Sequence, residues 1–357
     1  MKPLISIKEL NVHFQTERGP AHVVKDVTFS IESGETFGLV GESGCGKSVT
    51  SRAMMGLIPY PGKISSGNIV FRPDEPEQSI QISHQPEKEM HAIRGQTIGM
   101  IFQEPDMALN PIMRVGDQIS EAFYIQENNA FQSSHSRLQT VFHKYISRFD
   151  HAKKRQYEAE VIHLLKALDI KDAENVFKRY PHQLSGGMKQ RILIAIALAG
   201  SPSLLISDES TSSLDVSIQS QIIQLLDQLK AENRIQSILF ITHDLGLAAM
   251  CCARLAVMYA GCMCEIGPVP DMFNQPLHPY TQALLKTIPR KSQKTELNPI
   301  MGQVPDLVNA PGGCRFHPRC SRAVEQCKNE TPMLKNFKEG HAVACWCVPD
   351  CPVARNA

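Results

Sequence analysis

The sequence predicts an α/β fold, because short apolar strands run directly into polar loops that carry chemically active side chains. The first such strand, residues 36–40, leads into a glycine-rich loop at residues 41–48, and a helix-compatible run follows at residues 49–57. A second strand, residues 204–207, is apolar until it ends in two carboxylates. The order of strand, glycine-rich loop and helix is the context that a phosphate-binding loop requires.

The remaining elements follow from shifts in composition along the chain. Residues 4–35 alternate as strands, and the polar stretch at residues 71–90, with three prolines, fits the same peripheral antiparallel sheet. Residues 104–190 indicate a helical, polar subdomain, within which the conformation of residues 126–160 stays open. Beyond residue 270, a proline-rich passage and a cysteine-dense tail predict an appendage to one large domain.

The loop sequence Gly-Glu-Ser-Gly-Cys-Gly-Lys-Ser suits the binding of a nucleotide. Its glycines allow backbone N–H groups to turn toward phosphate oxygens with no Cβ in the way. Lys47 is expected to neutralise the β- and γ-phosphates, and the Ser48 hydroxyl to coordinate Mg²⁺. An ordinary glycine turn is the alternative interpretation, and the flanking strand and helix argue against it.

The two carboxylates at the end of the second apolar strand match the Walker B pattern. Asp208 is expected to hold Mg²⁺ through water, and Glu209 to polarise the attacking water as a general base. An acidic strand end in solvent is the alternative interpretation, which the phosphate-binding loop disfavours.

A third motif lies in residues 181–191, which read Pro-His-Gln-Leu-Ser-Gly-Gly-Met-Lys-Gln-Arg. Its Leu-Ser-Gly-Gly core, with Gln190 after it, resembles the signature of ATP-binding cassette (ABC) proteins, which that family uses across a dimer. Ser185 and the adjacent glycines would offer a hydroxyl and backbone N–H groups at a helix N-terminus to the γ-phosphate held by the opposite subunit. Read alone, Ser-Gly-Gly is also an ordinary turn before a helix.

Together with the loop and the carboxylates, this ordered set makes residues 1–270 resemble an ABC transporter ATPase. The resemblance gives Gln103 the role of the Q-loop glutamine, which senses Mg²⁺ and the nucleophilic water. It makes His243 the switch histidine that hydrogen-bonds the γ-phosphate, and it puts Asp215 in the D-loop between the two sites of the dimer. Phe14 is placed where the family stacks an aromatic ring on adenine, a core phenylalanine being the alternative.

The resemblance implies ATP and Mg²⁺ as ligands and groups the site residues by role. The catalytic residues are Glu209, His243 and Gln103. The ATP-binding residues are Phe14, Gly41, Ser43, Gly44, Cys45, Gly46, Lys47, Ser48 and Val49. The Mg²⁺ ligands are Ser48, Gln103 and Asp208. The signature residues acting on the opposite subunit's ATP are Ser185, Gly186, Gly187 and Gln190, with Asp215 in the D-loop.

Residues 277–285, Leu-His-Pro-Tyr-Thr-Gln-Ala-Leu-Leu, resemble the C-terminal hallmark of ATPases that serve dipeptide, oligopeptide and nickel importers. The resemblance implies ATP hydrolysis that powers peptide uptake, with nickel chelates, antimicrobial peptides or glutathione as alternative solutes. It also implies two permease subunits, an extracytoplasmic solute-binding protein and a second ABC ATPase, commonly a distinct chain, although a homodimer is not forbidden. The expected domains are a nucleotide-binding domain at residues 1–270, with its helical subdomain at 104–190, and an importer-type extension at 271–357.

Six of the eleven cysteines lie between Cys314 and Cys351. A disulfide scaffold is disfavoured in a cytosolic ATPase, and the spacings differ from the paired Cys-x-x-Cys of most zinc sites. Similar tails in this transporter subfamily are associated with a 4Fe–4S cluster, with zinc or unligated thiols as alternatives. The implied ligands are Cys314, Cys320, Cys327 and Cys345, with Cys347 and Cys351 as further candidates for the fourth position.

Three expectations concern the environment of the cysteines. Four thiolates held by segments without another core predict that residues 312–351 become ordered only around a metal. Cys45, beside Lys47 and close to a helix N-terminus, is expected to be a reactive thiol, an inert buried thiol being the alternative. Cys262 and Cys264 are expected to be buried apolar fillers.

Composition limits the classes of partner and compartment. The net charge of +1 over 357 residues gives no electrostatic reason to expect nucleic acid. The longest apolar run, residues 192–199, is too short to cross a bilayer, and residues 1–5 lack the core of a signal peptide. We therefore expect a cytosolic chain, peripheral on the inner face of the cell membrane through its permease.

Two rival functions come from other classes of protein. A soluble ABC protein of DNA repair or translation would carry coiled-coil or zinc-hook insertions, two cassettes or a basic surface, and the sequence indicates none of them. A metal-binding regulatory module is disfavoured by the intact Glu209 and His243.

Overall fold

Residues 3–72, 79–131, 151–212, 215–288 and 300–348 are described by the computed structural model. They form two compact units. The first unit takes in the described residues of 1–90 and 237–357, and the second takes in those of 91–236. The first unit is therefore assembled from both ends of the chain. Part of the 126–160 segment, residues 132–150, lies outside the described residues.

The elements are numbered in chain order. The N-terminal part of the first unit contains β1 (Ile5–Thr16), β2 (Gly19–Ile31), β3 (Thr36–Val40), α1 (Lys47–Met54), β4 (Gly62–Phe71), β5 (Ile80–Gln81) and a 3₁₀ turn (Ile82–His84). The boundary between the units falls in the sequence of α2 (Glu87–Ile93). The second unit contains β6 (Ile98–Ile101), α3 (Pro105–Ala108), α4 (Val115–Phe131), α5 (His151–Ala167), α6 (Ala173–Phe177), a 3₁₀ turn (Pro181–Gln183), α7 (Gly186–Leu198), β7 (Leu204–Asp208) and α8 (Val216–Ala231). The C-terminal part of the first unit contains β8 (Ser237–Thr242), α9 (Leu245–Cys251), β9 (Arg254–Tyr259), β10 (Cys262–Pro268), α10 (Val269–Asn274), α11 (Pro279–Lys286), a 3₁₀ turn (His317–Arg319), α12 (Glu325–Asn329), β11 (Lys335–Lys338) and β12 (His341–Val343).

An antiparallel sheet with strand order β2-β1-β4-β5 forms one layer of the first unit. Apolar side chains of β1, including Ile5, Ile7 and Val12, are fully buried while Lys8 is exposed. This alternation, interrupted by register shifts, is typical of a sheet that packs one face against a core. The antiparallel sheet predicted over residues 4–35 is confirmed, whereas in the described part of residues 71–90 only Phe71 and β5 join it and residues 82–84 and 87–90 are helical.

The second sheet of the first unit places β3 between β8 and β9, with both pairs parallel. All residues of β3 and β8 are buried, as expected for parallel strands that are covered on both faces. Val40 is in register with Thr242. The carboxyl ends of these two strands therefore lie at the same edge of the sheet. The loops that start with Gly41 and His243 begin at that edge.

The second unit combines the parallel pair β6 and β7 with the helices α3 to α8. Every residue of β7 is buried, including Asp208 at its end. Ile101 of β6 is in register with Ser207 of β7, so the loops after both strands start at a common edge.

No helix among the residues the structure describes is both long and apolar enough to cross a bilayer.

The C-terminal segment does not stand apart from the rest of the first unit. Its strand β12 pairs with β10, and β11 pairs with β12, so both extend the mixed sheet beyond β9. Val343 and Val348 are buried against Leu277, Phe337 and Cys345. In the described part of the 312–351 segment, the expectation of a segment without another core is wrong, because strand pairing and apolar contacts with the main body supply one.

Candidate active site

The phosphate-binding loop is held tightly against its neighbouring strands. A Cβ on Gly41 would overlap the carbonyl oxygen of Met258 in β9. Gly46 has a φ of +100°, and a Cβ there would lie 2.8 Å from the carbonyl oxygen of Val23. Both positions therefore require glycine, because a Cβ would press on neighbouring backbone at each, and at Gly46 the positive φ would also strain a side chain.

Lys47, the first residue of α1, directs its ammonium group back into the loop. Its side chain is buried, and Nζ donates hydrogen bonds to the carbonyl oxygens of Gly41 at 2.8 Å and Glu42 at 3.1 Å. A positive charge is thus fixed inside the curve of the loop, next to the start of a helix. Both features favour a bound phosphate.

The residues along the rim of the loop differ in accessibility. Ser43 and Gly44 are exposed, and Ser48 and Val49 are half-buried. The Cys45 side chain is completely buried. Its backbone carbonyl oxygen accepts a hydrogen bond from the Gly261 N–H at 2.8 Å. The expected accessibility of the Cys45 thiol is therefore wrong, because the folded chain buries the whole side chain, and the alternative of a buried thiol agrees with the structure. Its predicted contribution to ATP binding is left to its backbone.

His243 is exposed directly after β8. The residues beside it are fixed: the Asp244 N–H donates to the Thr242 hydroxyl at 3.0 Å, and the Asp244 carboxylate caps α9 by accepting from the N–H groups of Gly246 and Leu247. The backbone of His243 is thus pinned between a strand end and a capped helix. Its imidazole is presented at the same sheet edge as the phosphate-binding loop.

Phe14 lies near the end of β1 and is half-buried. Its ring packs on Gly62 of β4, where a Cβ would come within 2.6 Å of the ring. The adjacent His13 stacks on His22 with 3.9 Å between ring centroids. Burial, followed by the neighbouring His13, lowers the pKa of His22 to about 4, so the His22 imidazole is uncharged at neutral pH. The Phe14 ring is partly packed and partly accessible, which is compatible with either a core residue or a residue that stacks on adenine. The stacking role of Phe14 therefore stays a prediction.

In the second unit, the loops after β6 and β7 bring two of the predicted catalytic residues together. The Gln103 Nε2 donates a hydrogen bond to Oε2 of Glu209 at 3.3 Å. Glu209 has a φ of +46°, and its carbonyl oxygen accepts from the Ser212 N–H at 3.1 Å and hydroxyl at 2.9 Å. Asp208, just before it, is 3% exposed. A non-glycine residue in the left-handed region is uncommon, and here local hydrogen bonds hold it.

The signature motif starts α7. Ser185 is its N-cap and accepts a hydrogen bond from the Met188 N–H at 3.4 Å, while Ser185 and Gly186 are exposed and Gly187 is half-buried. Gln190 is fully buried and its side-chain amide has no hydrogen-bond partner among the described residues. Such burial does not fit a direct contact with another subunit, so we leave Gln190 out of the anion site.

Asp215 is exposed at the start of α8, where its carbonyl oxygen accepts from the Gln219 N–H at 2.9 Å. The two residues before it in the predicted D-loop, 213 and 214, lie outside the described residues.

Three residues at the phosphate-binding loop were not singled out from the sequence. The N–H of Glu42 donates to the hydroxyl of Tyr280 at 3.0 Å, and the Glu42 carboxylate forms an ion pair with Arg319 at 2.7 Å. Tyr280 belongs to the motif at residues 277–285, which served only as a family marker. Its position behind the loop follows from α11, whose N-cap His278 accepts from the Tyr280 N–H at 3.0 Å.

The thiols of the C-terminal segment influence one another. Burial and then the neighbouring Cys327 and Cys320 raise the pKa of Cys314 to about 11. Burial, with Cys347, Cys314 and Cys320 after it, raises the pKa of Cys345 to about 12. The four predicted ligands thus lie in one region. Within the described ranges, however, no three His, Cys, Asp or Glu side chains are arranged so that they could hold a metal ion.

Comparisons with known proteins agree with this architecture. Residues 24–212 match the ABC transporter family, and residues 264–327 match the C-terminal region of oligopeptide/dipeptide transporters. The dipeptide transport ATP-binding protein DppD of Bacillus subtilis is 42% identical over 348 residues, covering 97% of this chain and 95% of that protein. The oligopeptide transport ATP-binding protein OppD of Salmonella typhimurium is 41% identical over 344 residues, covering 96% and 93%.

A solved structure shares the fold. The cbiO1 protein from Clostridium perfringens, part of the ABC transporter complex cbiONQ, is 26% identical and superimposes with a TM-score of 0.56. The match covers 77% of this chain and 92% of that one. The α/β P-loop core predicted from the sequence is confirmed.

Proposed function

Because this chain belongs to the family of ABC transporter ATPases, we propose that it hydrolyses ATP to power the import of peptides of the dipeptide and oligopeptide class. One observation carries the substrate class: the same chain joins an ABC transporter match with a match to the C-terminal region of oligopeptide/dipeptide transporters. Nickel chelates, antimicrobial peptides and glutathione are the alternative solutes, and an uptake assay separates them.

The first unit supplies the groups that bind ATP. The backbone N–H groups of the loop and the Lys47 ammonium receive the phosphates, and the Ser48 hydroxyl is a ligand for Mg²⁺. His243, exposed at the same strand edge, donates a hydrogen bond to the γ-phosphate. Phe14 offers the accessible part of its ring to adenine.

The second unit supplies the groups that act on water. Glu209 takes the proton of the attacking water, and Gln103 orients the Glu209 carboxylate through the hydrogen bond between them. Asp208 and Gln103 complete the proposed Mg²⁺ ligands; when bound, Mg²⁺ neutralises charge that develops on the phosphates. The signature residues Ser185 and Gly186 offer an exposed helix N-terminus to the ATP of a second ATPase subunit.

The proposed assembly contains two permease subunits, a second and distinct ABC ATPase, and an extracytoplasmic solute-binding protein. The chain then lies at the cytoplasmic face of the cell membrane, held there by the permease. Within the chain, residues 1–270 are proposed as the nucleotide-binding domain, with its helical subdomain at 104–190, and residues 271–357 as the importer-type extension. A soluble ABC ATPase without a permease is the competing function.

The decisive experiment uses Glu209→Gln in the transporter assembled with its permease. Loss of the general base should slow ATP hydrolysis by roughly 10² to 10⁴ while ATP stays bound, and uptake of a labelled dipeptide should stop. Glu232→Gln is the matched control, since its carboxylate forms a surface ion pair with Arg234. Hydrolysis by Glu209→Gln at the control's rate would reject the assignment of the base. Hydrolysis without peptide uptake in the control would reject the peptide substrate.

We further propose that Cys314, Cys320, Cys327 and Cys345 bind a 4Fe–4S cluster, with zinc as the alternative metal. The support is the donor type together with local geometry: the Cys314 N–H donates to the Cys327 carbonyl oxygen at 2.8 Å, which brings these two cysteines side by side. Four thiolates suit iron in such a cluster, and the described arrangement would have to tighten around it. The group would cross-link a segment that strand pairing already holds in place, and it would take no part in phosphoryl transfer, because the proposed catalytic residues lie elsewhere.

A further inference from the structure

The segment that carries Cys314 and Cys320 lies directly against the phosphate-binding loop. Between these cysteines, Arg319 forms a bidentate ion pair: Nη1 donates to Oε2 of Glu42 at 2.7 Å and Nη2 donates to Oε1 at 3.2 Å. Glu42 is the second residue of the loop. The Arg319 side chain is only 5% exposed and the Glu42 side chain is 26% exposed, so water and salt reach the pair from the Glu42 side only.

Arg319 is itself held rigidly. Its Nε donates to the carbonyl oxygen of Met301 at 3.0 Å, Nη2 donates to that of Ile300 at 3.1 Å, and Nη1 donates to the Tyr259 hydroxyl at 3.3 Å. The guanidinium carbon lies 5.6 Å from the centre of the Tyr259 ring. A group fixed on this many sides positions its partner, because neither member of the pair can move without breaking other bonds.

Glu42 passes this restraint to the group that binds phosphate. Its carbonyl oxygen accepts from the Lys47 Nζ at 3.1 Å and from the Cys45 N–H at 3.3 Å, while its own N–H donates to the Tyr280 hydroxyl. An unbroken series of contacts therefore runs from Arg319 through Glu42 to the Lys47 ammonium.

A second arginine of the same segment, Arg315, contacts backbone next to the loop. Arg315 is 6% exposed and donates hydrogen bonds to the carbonyl oxygens of His22, at 3.0 Å, and Ala260. The next residue in the turn, Gly261, donates its N–H to the Cys45 carbonyl oxygen. Between the arginines, Phe316 packs against Tyr259 and Tyr280, with ring centroids 5.1 and 5.2 Å apart.

We propose that Arg319 is a positioning residue of the nucleotide site, which holds the phosphate-binding loop in its ATP-binding shape through Glu42. Because Arg319 is adjacent to Cys320 and Arg315 is adjacent to Cys314, any event that displaces these thiols alters ATP affinity. The inference rests on the proposed function in one respect, that the loop at residues 41–48 binds ATP.

If Glu42 acts only through its charge, replacing it has the opposite effect on ATP affinity from the effect expected if Arg319 positions the loop through it. Removing a carboxylate from beside the phosphates strengthens ATP binding if only charge matters, whereas loss of the Arg319 restraint weakens it. Glu42→Gln and Arg319→Gln should each raise the Kd of the full chain for a fluorescent ATP analogue with Mg²⁺ by about tenfold. The double variant should be no weaker than the single ones, and Arg319→Lys should recover part of the affinity.

Arg322→Gln is the matched control. It removes the same charge from an exposed position three residues further along and should leave the Kd unchanged. The melting temperature of each nucleotide-free variant is measured in parallel, because a merely structural arginine would lower the melting temperature without changing the Kd of the folded chain.

Lys47→Ala distinguishes a failure of the proposed ATP-binding role of the loop from a failure of the positioning role of Arg319. If Lys47→Ala loses ATP while Arg319→Gln binds it as tightly as Arg322→Gln does, the positioning role is overturned and the proposed function stands. Tighter ATP binding by Glu42→Gln also overturns it. If Lys47→Ala binds ATP as the unmodified chain does, the assignment of the loop fails, and the Arg319 inference fails with it.

Discussion

Gln103 donates a hydrogen bond from its side-chain amide to the carboxylate of Glu209, over 3.3 Å between Nε2 and Oε2. The residues lie 106 positions apart in the chain. They meet because β6 and β7 pair in parallel and in register at Ile101 and Ser207. The bond connects the residue expected to sense the water with the residue expected to deprotonate it.

Gln103→Leu should therefore slow ATP hydrolysis more than it weakens ATP binding. Loss of a hydrogen bond to a charged group predicts a rate lower by roughly tenfold to a hundredfold. The measurement is the steady-state rate at saturating ATP together with the Kd for an ATP analogue. Gln224→Leu, at an exposed site on α8, is the control. An equal loss in the rate of both variants would remove the role assigned to Gln103.

Local sequence was enough to predict the phosphate-binding loop and the strand ends. Gly41, Lys47 and Glu209 belong to short segments whose geometry is set by the strand that precedes them. The strands within residues 4–35 also followed from alternation in the sequence, whereas β4 at residues 62–71 did not. Such features need only near neighbours to be specified.

Contacts between distant segments were not predictable in the same way. Arg319 meets Glu42 across 277 positions, and no spacing in the sequence indicates that approach. Gln190 was expected to act with the signature motif on the opposite subunit's ATP, yet its side chain is fully buried. The environment of Cys45 likewise depended on β9 and its turn. In each case the packing of remote elements decides the outcome.

The buried Cys45 thiol should resist alkylation in the folded chain. A fully buried thiol reacts only when the structure opens, so N-ethylmaleimide should modify it at least about a hundredfold more slowly in the native state than in urea. Mass spectrometry of the peptide that contains Cys45, after timed quenching, gives both rates. Saturating MgATP should change the native rate little. Rapid native labelling that ATP suppresses would instead restore the accessible thiol expected from the sequence.

The pH dependence of stability should carry a contribution from His278. Its imidazole is 2% exposed, and burial lowers its pKa to about 4, with the nearby Glu265 acting weakly in the opposite direction. In the unfolded chain the His278 imidazole takes up a proton near pH 6.5, whereas in the folded chain it does so only near pH 4. The stability contribution is therefore complete above about pH 6.5 and is lost as the pH falls toward 4.

His278→Asn tests this contribution, because asparagine caps a helix well and does not titrate. The free energy of unfolding in urea should fall less between pH 7 and pH 5 for this variant than for the unmodified chain. His182→Asn, at an exposed site, should leave the slope unchanged. His22, whose pKa is also about 4, keeps some dependence in every variant. Identical slopes for His278→Asn and His182→Asn would contradict the prediction.

The last prediction concerns the C-terminal thiols. Protein purified without oxygen should be brown and contain iron and acid-labile sulfide near four per chain if the proposed cluster is complete. Replacing Cys314, Cys320 or Cys327 singly by serine should bleach the colour and expose the segment to proteolysis. Cys251→Ser, at the end of α9, is the control and should retain the colour.

Comparing Cys345→Ser, Cys347→Ser and Cys351→Ser identifies the fourth ligand, Cys351 lying outside the described residues. The Cys347 N–H donates to the Cys345 sulfur at 3.4 Å, so the two side chains lie close enough that either one could complete the set. Only the true ligand should reduce iron content when it is replaced. Because Arg319 and Arg315 join this segment to the phosphate-binding loop, the bleached Cys320→Ser and Cys314→Ser variants should also bind ATP more weakly than Cys251→Ser. Colourless protein with one zinc per chain after anaerobic preparation would overturn the iron–sulfur assignment, and the coupling to ATP would then belong to a zinc site.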